Sequence, residues 1–154
     1  MLPASSIDAV LIFYNRKEVL MNSIETICSN LSSIPVATKQ MHDFINSLNE
    51  SDYALLASVF VLGRSGWARD YADTAEYHIF IEEKASEGIS VNQQMLDDVF
   101  LSKSHKQKQF DLILQYEKSD ARKVNGIYKH NWLSNKTNLM TELTKGLRML
   151  QEIR

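Results

Sequence analysis

The feature that most constrains this 154-residue chain is a succession of short blocks in which apolar residues recur every three or four positions. That spacing places apolar side chains on one face of an α-helix. The chain has only five glycines and two prolines, whereas strand-rich folds use many of these residues in tight turns. The sequence therefore predicts an all-α protein, a compact multi-helix bundle of about six to eight helices forming a single domain over residues 1–154.

Capping signals predict where the first helices begin and end. Residues 5–31 form one helical run, as one helix or two, which stops before Pro35. Thr38 is placed to cap a short second helix, because a Thr hydroxyl can accept a hydrogen bond from a free backbone N–H at a helix start. The apolar face of that helix comprises Met41, Phe44, Ile45 and Leu48.

Asn49 and the acidic residues that follow it predict the start of a third helix. Its apolar stretch, 54–62, could also form a strand, since periodicity does not decide so short a run. Gly63 suits a left-handed cap at a helix end. Together, the start and stop signals favour a buried helix.

The remaining patterns predict further helices. One amphipathic helix contains Trp67, Tyr71, Ala75 and Ile79 and ends at Gly88. A capping box at 90–93 opens the next helix, and 110–117 marks another. Polar residues around Gly126 indicate turns. The final helix carries Leu139, Leu143, Leu147 and Leu150, and Gly146 inside it predicts a close approach to another helix.

The charge is divided between two parts of the chain. Residues 1–102 carry six Lys and Arg against 14 Asp and Glu, whereas 103–154 carry 11 against five. We divide the predicted domain accordingly into an acidic half, 5–88, and a basic helical half, 89–154. The two signs either neutralise each other, within one molecule or across a dimer, or leave a basic face open to nucleic acid or an acidic protein.

The basic stretch 103–136 is the candidate nucleic-acid site. Its segment 127–132 places aromatic residues among Lys, His and Asn, a combination that can stack bases and contact phosphates. The same aromatic residues could instead anchor a helix end in the core. The candidate nucleic-acid-binding residues are Lys103, Lys106, Lys108, Arg122, Lys123, Lys129 and Trp132.

A second candidate site lies at the junction between the third helix and the acidic helix that follows. Arg64 and Arg69 could hold a carboxylate or phosphate beside Trp67 and Asp70. The alternative is structural: Arg64 pairs with Asp70 or caps carbonyl groups, and Trp67 packs in the core.

No familiar catalytic or metal-binding pattern occurs in the sequence. The four histidines stand apart, without the spacing that places two ligands on one helical face. Cys28 lies on an apolar helical pattern and is predicted to be a buried thiol. We therefore expect no catalytic residue, no metal and no cofactor. One cysteine, no basic leader and no apolar run long enough for a bilayer predict a cytoplasmic protein without membrane contact.

Part of the chain resembles a bacterial family of unknown function. The resemblance covers about residues 5–80 and is carried by Phe44-Ile45-Asn46-Ser47-Leu48-Asn49-Glu50, by the apolar helix ending Leu62-Gly63-Arg64, and by Trp67 in an acidic helix. It departs from the family where Ser65 replaces a glycine, and the part after Gly88 is unmatched. The resemblance implies an all-helical fold and a bacterial or phage-like source, with no activity attached.

These observations predict a non-enzymatic helical interaction protein that binds a protein partner or a second copy of itself. A nucleic-acid-binding regulator acting through 103–136 is the alternative. A small-anion or ligand site at the junction 64–73 is the second alternative.

Overall fold

The structure, a computed structural model, describes residues 20–154, so the predicted helical run over 5–19 lies outside it. The described part contains seven α-helices, three short 3-10 helices and one two-stranded hairpin, which confirms the all-α class. The α-helices are α1 (20–31), α2 (Lys39–Ser47), α3 (Glu50–Ser65), α4 (Ala75–Ser86), α5 (Gln93–Phe100), α6 (Lys103–Asp120) and α7 (Leu139–Leu150).

Helix α3 is the central element of the fold. All residues from Tyr53 to Phe60 are buried, which confirms a buried helix over 54–62. The helix packs against α7 and α6. A helix that is apolar on every side can be stable only when other elements cover it on every side. The sequence of α3 therefore requires a central position.

Two glycines allow α3 and α7 to approach each other closely. A Cβ atom on Gly63 would lie 1.8 Å from the carbonyl oxygen of Glu142, and one on Gly146 would lie 2.1 Å from that of Val59. Both distances are shorter than any carbon–oxygen contact can be, so the two backbones are in direct contact. The predicted close approach at Gly146 is confirmed.

The prediction that Gly63 ends α3 is wrong. The helix continues to Ser65, and its C-cap is Gly66, whose φ of 75° lies in the left-handed region that favours glycine. A capping glycine and a packing glycine look alike in a sequence. They differ in whether another helix passes over them, which only the tertiary structure decides.

The predicted helix starts are mostly confirmed. The Thr38 hydroxyl accepts a hydrogen bond from the Met41 N–H, and the Asn49 side chain accepts one from Asp52. Helix α1 ends at residue 31, before Pro35. The box at 90–93 does open α5, but its cap is Asn92, whose side-chain oxygen accepts from Met95.

The segment between α3 and α6 forms an acidic layer. The predicted helix from Trp67 to Gly88 begins later than expected, because Asp70–Asp73 is a 3-10 helix and α4 starts at Ala75, capped by Thr74. Neither α4 nor α5 contains a buried residue. An aromatic cluster joins the two helices to the 3-10 turn: Tyr71, Tyr77, Phe80 and Phe100.

The turns expected around Gly126 belong to a small antiparallel hairpin of β1 (Lys123–Val124) and β2 (Ile127–Tyr128). Asn125 and Gly126, which join the strands, have φ values of 54° and 79°. Two consecutive residues with positive φ form the tight turn that matches the twist of a hairpin, and Asn-Gly is the preferred pair. The dipeptide was a usable signal for this hairpin, which the helical interpretation missed.

Candidate interaction surface

The hairpin has one face directed into the protein and one directed outward. Residues opposite each other in an antiparallel pair share a face, and the register pairs Lys123 with Tyr128 and Val124 with Ile127. Tyr128 is buried, whereas Val124 is 58% and Ile127 54% exposed. The outward face therefore presents an aliphatic pair.

Two cations flank that aliphatic pair. Arg122 and Lys129 extend the ladder, since the Lys129 N–H donates to the Arg122 carbonyl oxygen at 2.9 Å, and both are exposed. Side-chain direction alternates along a strand, so both lie on the same face as the aliphatic pair. We call Arg122, Val124, Ile127 and Lys129 the hairpin face.

The hairpin is held firmly on α2 and α3. The ring of Tyr128 stacks on Tyr53 of α3 with centroids 4.1 Å apart, and its hydroxyl donates to the Leu48 carbonyl oxygen. The Tyr128 N–H donates to the Asn46 side chain at 3.0 Å, and the Lys123 N–H donates to Glu50 at 3.4 Å. The hairpin face is therefore presented on a rigid base.

Beyond the hairpin, the chain continues along α3 and forms a basic and aromatic cluster. The ring of Trp132 meets Phe60 edge-on, with centroids 5.4 Å apart. The guanidinium of Arg64 lies 5.8 Å from the Trp132 ring centre, and the ammonium of Lys136 lies 5.9 Å from it. Arg64, from the candidate junction site, thus contacts Trp132, from the candidate nucleic-acid site. Tyr128 is buried, as expected if the aromatic residues of 127–132 anchor this part of the chain in the core.

A buried carboxyl group lies at the end of α6, close to this cluster. Glu117 is only 5% exposed. Burial, helped by Asp120, raises the pKa of Glu117, because water no longer stabilises the charged form; Arg64 partly opposes the rise. Burial likewise raises the pKa of Tyr53, whose hydroxyl donates to the His130 carbonyl oxygen at 2.9 Å.

The residues proposed for the junction site make separate contacts. Arg69 forms a two-pronged ion pair with Asp97 of α5, at 3.0 and 3.1 Å. This pairing lowers the pKa of the carboxyl group, which also accepts from Tyr71 and Gln93. The indole N–H of Trp67 donates to Glu152. Asp70 is exposed, and Arg64 stacks on Trp132 as described above.

The lysines of α6 also differ in their surroundings. Lys103 donates to the Arg154 carbonyl oxygen at 3.2 Å, and Lys106 pairs with Glu152 at 3.5 Å. Lys108 is exposed. Of the predicted nucleic-acid set, the structure therefore groups Arg122, Lys123 and Lys129 on the hairpin and Trp132 beside it, while Lys103 and Lys106 contact the C-terminal turn.

Polar and reactive groups elsewhere are engaged in the fold. A ring nitrogen of His42 lies 3.1 Å from the hydroxyl oxygen of Ser134, which is buried. Cys28 is buried as predicted, and burial, with the nearby charge of Glu25, raises the pKa of its thiol to about 11. Among residues 20–154, no three His, Cys, Asp or Glu side chains are grouped as metal ligands would be.

An apolar cavity of about 410 Å³ lies where α1, α3 and α6 meet the C-terminal turn. Its described lining is mainly aliphatic and aromatic, and its polar members come mostly from the first two turns of α6. Sites that orient a small ligand usually bring polar groups together from several directions. The described lining residues are Leu20, Met21, Ile24, Leu55, Lys103, Ser104, Gln107, Phe110, Asp111, Leu114, Leu150, Ile153 and Arg154.

A second surface, on α4, resembles the hairpin face but has the opposite charge. Ile79 is 55% exposed. Glu76, Glu82 and Glu83 lie three or four residues away from it and are also exposed, so they surround Ile79 on the helix surface. None of the three forms an ion pair within the described part of the chain. We call Glu76, Ile79, Glu82 and Glu83 the α4 face.

No protein-family model, curated protein or solved structure matches this chain. Among the helices of residues 20–154, none is both long enough and apolar enough to cross a membrane.

Proposed function

We propose that this chain is a non-enzymatic helical interaction protein and that the hairpin face is its contact surface. The observation that supports this most directly is the aliphatic pair Val124 and Ile127, exposed on a rigid hairpin and flanked by Arg122 and Lys129. Protein contact surfaces typically combine a small apolar centre with a polar or charged rim. The rim predicts a partner whose surface is acidic.

A photo-crosslinking amino acid placed at Ile127 in the full chain tests this function in the source cells. We expect a discrete crosslinked protein that disappears when the rim is reversed by Arg122→Glu and Lys129→Glu. Leu112, an aliphatic residue of α6 that is 65% exposed, supplies the matched control position. Equal crosslinking at both positions, or none at Ile127, would contradict the proposal.

Nucleic-acid binding is the second candidate function. Arg64 and Lys136 beside Trp132, together with three cations on the hairpin, favour it. In the same crosslinking experiment, a crosslinked species that nuclease removes would identify nucleic acid as the partner. Its formation should fall steeply with added salt, because counterion release drives such binding.

The remaining expectations belong to this proposal. We place the protein in the cytoplasm, where its single thiol stays reduced. Membership of the bacterial family of unknown function rests on the motifs in residues 5–80. A small-anion site at the junction 64–73 rests on Arg64 and Trp67, because Arg69 already pairs with Asp97.

A further inference from the structure

The two charged parts of this chain do not neutralise each other inside the described fold. Among the ion pairs within residues 20–154, only the one between Arg154 and Glu25 joins the acidic residues before 103 to the basic residues after them, at 3.9 Å. The others connect residues of the same part. The alternative of neutralisation within one molecule therefore has little support in this part of the chain.

The acidic charge is concentrated in one layer of the fold. Residues 70–98, which comprise the 3-10 turn, α4 and most of α5, contain eight Asp and Glu and a single Lys. The arginine just before this segment, Arg69, is already paired with Asp97. The carboxylates of the α4 face therefore remain free to meet cations from outside the molecule.

The hairpin face and the α4 face match in composition. Each has an exposed aliphatic centre, and the rim is cationic on one and anionic on the other. Within one molecule both aliphatic centres are more than half exposed, so the two faces do not cover each other. Matching apolar centres with opposite rims is the arrangement that gives a protein contact both affinity and specificity.

We propose that the partner of the hairpin face is the α4 face of a second copy of this chain. The inference rests on the proposed function and names the partner for the same surface. Such a contact uses different surfaces on the two molecules, so one molecule keeps a free α4 face and the other keeps a free hairpin face. The assembly then closes as a dimer if both contacts form reciprocally, or grows to larger species if they do not.

Sedimentation velocity of the full chain over a range of concentrations tests this pairing. We expect the average mass to rise above that of one chain at low salt and to fall back as salt is added, because the rims are screened. The hairpin-reversed variant, Arg122→Glu with Lys129→Glu, should associate roughly 100-fold more weakly, since like charges then oppose each other. The helix-reversed variant, Glu82→Lys with Glu83→Lys, should do the same.

Mixing the two reversed variants gives the decisive measurement. Each variant alone carries like charges on both of its faces, but every face of one is complementary to a face of the other. We therefore expect the mixture to form a mixed assembly, which misfolded variants would not do. A control variant, Lys39→Glu with Lys108→Glu, changes the net charge as the hairpin-reversed variant does. It reverses exposed cations outside both faces and should associate like the original chain.

Three results would overturn the proposal: a single-chain mass at every concentration in low salt, no mixed assembly from the two variants, or loss of association in the control. The function proposed above is tested separately. If the chain does not self-associate but crosslinks another protein from Ile127, the contact surface stands and only the identity of the partner is wrong.

Discussion

At the scale of single residues, the structure separates the roles of side chains that look equivalent in the sequence. The sequence groups Arg64 and Arg69 as one anion site, yet Arg64 lies against Trp132 and Arg69 binds Asp97. Asp97 is 28 residues from Arg69 along the chain. A local sequence pattern carries no information about contacts at that separation, so the sequence could not show that Arg69 binds Asp97 and not an anion beside Arg64.

Glu117 provides a prediction about pH and stability. Its pKa is raised in the folded state. The carboxyl group therefore ionises less readily in the folded state than in the unfolded state. As pH rises from the pKa of the unfolded state to that of the folded state, this group lowers the free energy of unfolding. We expect Glu117→Gln to stabilise the protein at pH 7, where the buried carboxylate is unfavourable, and urea unfolding measures the gain.

The gain from Glu117→Gln should shrink as pH falls from the raised pKa of the folded state toward roughly 4.5, and it should vanish at lower pH, where the carboxyl group is protonated in both states. Asp111→Asn, an exposed change on the same helix, serves as the control and should shift stability little at either pH. Equal stabilisation by Glu117→Gln at pH 7 and at pH 3.5 would contradict the burial argument.

At the scale of elements, sequence patterns located most helices because caps and apolar spacing are local. Thr38 and Asn49 cap α2 and α3 through side-chain contacts only three residues away. The hairpin was missed because its strands are two residues long, too short for an alternating pattern to appear. The end of α3 was misplaced because Gly63 responds to α7, which lies some 80 residues later.

The contact between α3 and α7 gives the second prediction. Gly146→Ala should lower the free energy of unfolding by roughly 3 kcal/mol, because the added methyl group would overlap the Val59 backbone and force the helices apart. Equilibrium urea unfolding measures the change. Ala normally favours helix over Gly by about 1 kcal/mol, so a stabilised variant would show that the close contact is absent.

Thr144→Ala is the matched control for Gly146→Ala. Thr144 lies in the same helix, is exposed, and bonds only to the Met140 carbonyl oxygen one turn earlier. We expect a change within about 0.5 kcal/mol, as for other surface substitutions. A large loss in this control would mean that α7 responds to any substitution and not specifically to lost space.

At the scale of the whole molecule, the fold combines a well-packed centre with a loosely attached acidic layer. Helices α3, α6 and α7 share the buried core, whereas α4 and α5 bury no complete side chain. Within the layer, Asp97 joins α5 to the 3-10 turn, because it accepts hydrogen bonds from Arg69, Tyr71 and Gln93. The distribution of charge along the sequence predicts an acidic part. That α4 and α5 lie outside the buried core depends on tertiary packing, which the charge distribution does not describe.

Hydrogen exchange gives the third prediction. Amides of α3 should exchange only on global unfolding, and those of α4 and α5 should exchange through a smaller opening. Asp97→Ala removes the shared acceptor and should speed exchange in 70–100 while leaving α3 unchanged. Mass spectrometry of peptides from each element measures both effects.

The neighbouring change Asp98→Ala is the control, because Asp98 is exposed and accepts only from Gln94 within α5. It should leave exchange in 70–73 unaltered. Uniform acceleration across α3 and α4 in the Asp97 variant would show instead that the layer and the centre open as one unit.

The anchoring of the hairpin also determines how it can meet another molecule. A strand whose outer N–H groups are free can recruit a further strand and begin an open-ended sheet. Here the outward N–H of each strand is already bonded, Lys123 to Glu50 and Tyr128 to Asn46. Neither edge offers a free outward N–H to a further strand, so we expect partners to contact the side chains of the hairpin face and not to extend its two-stranded ladder.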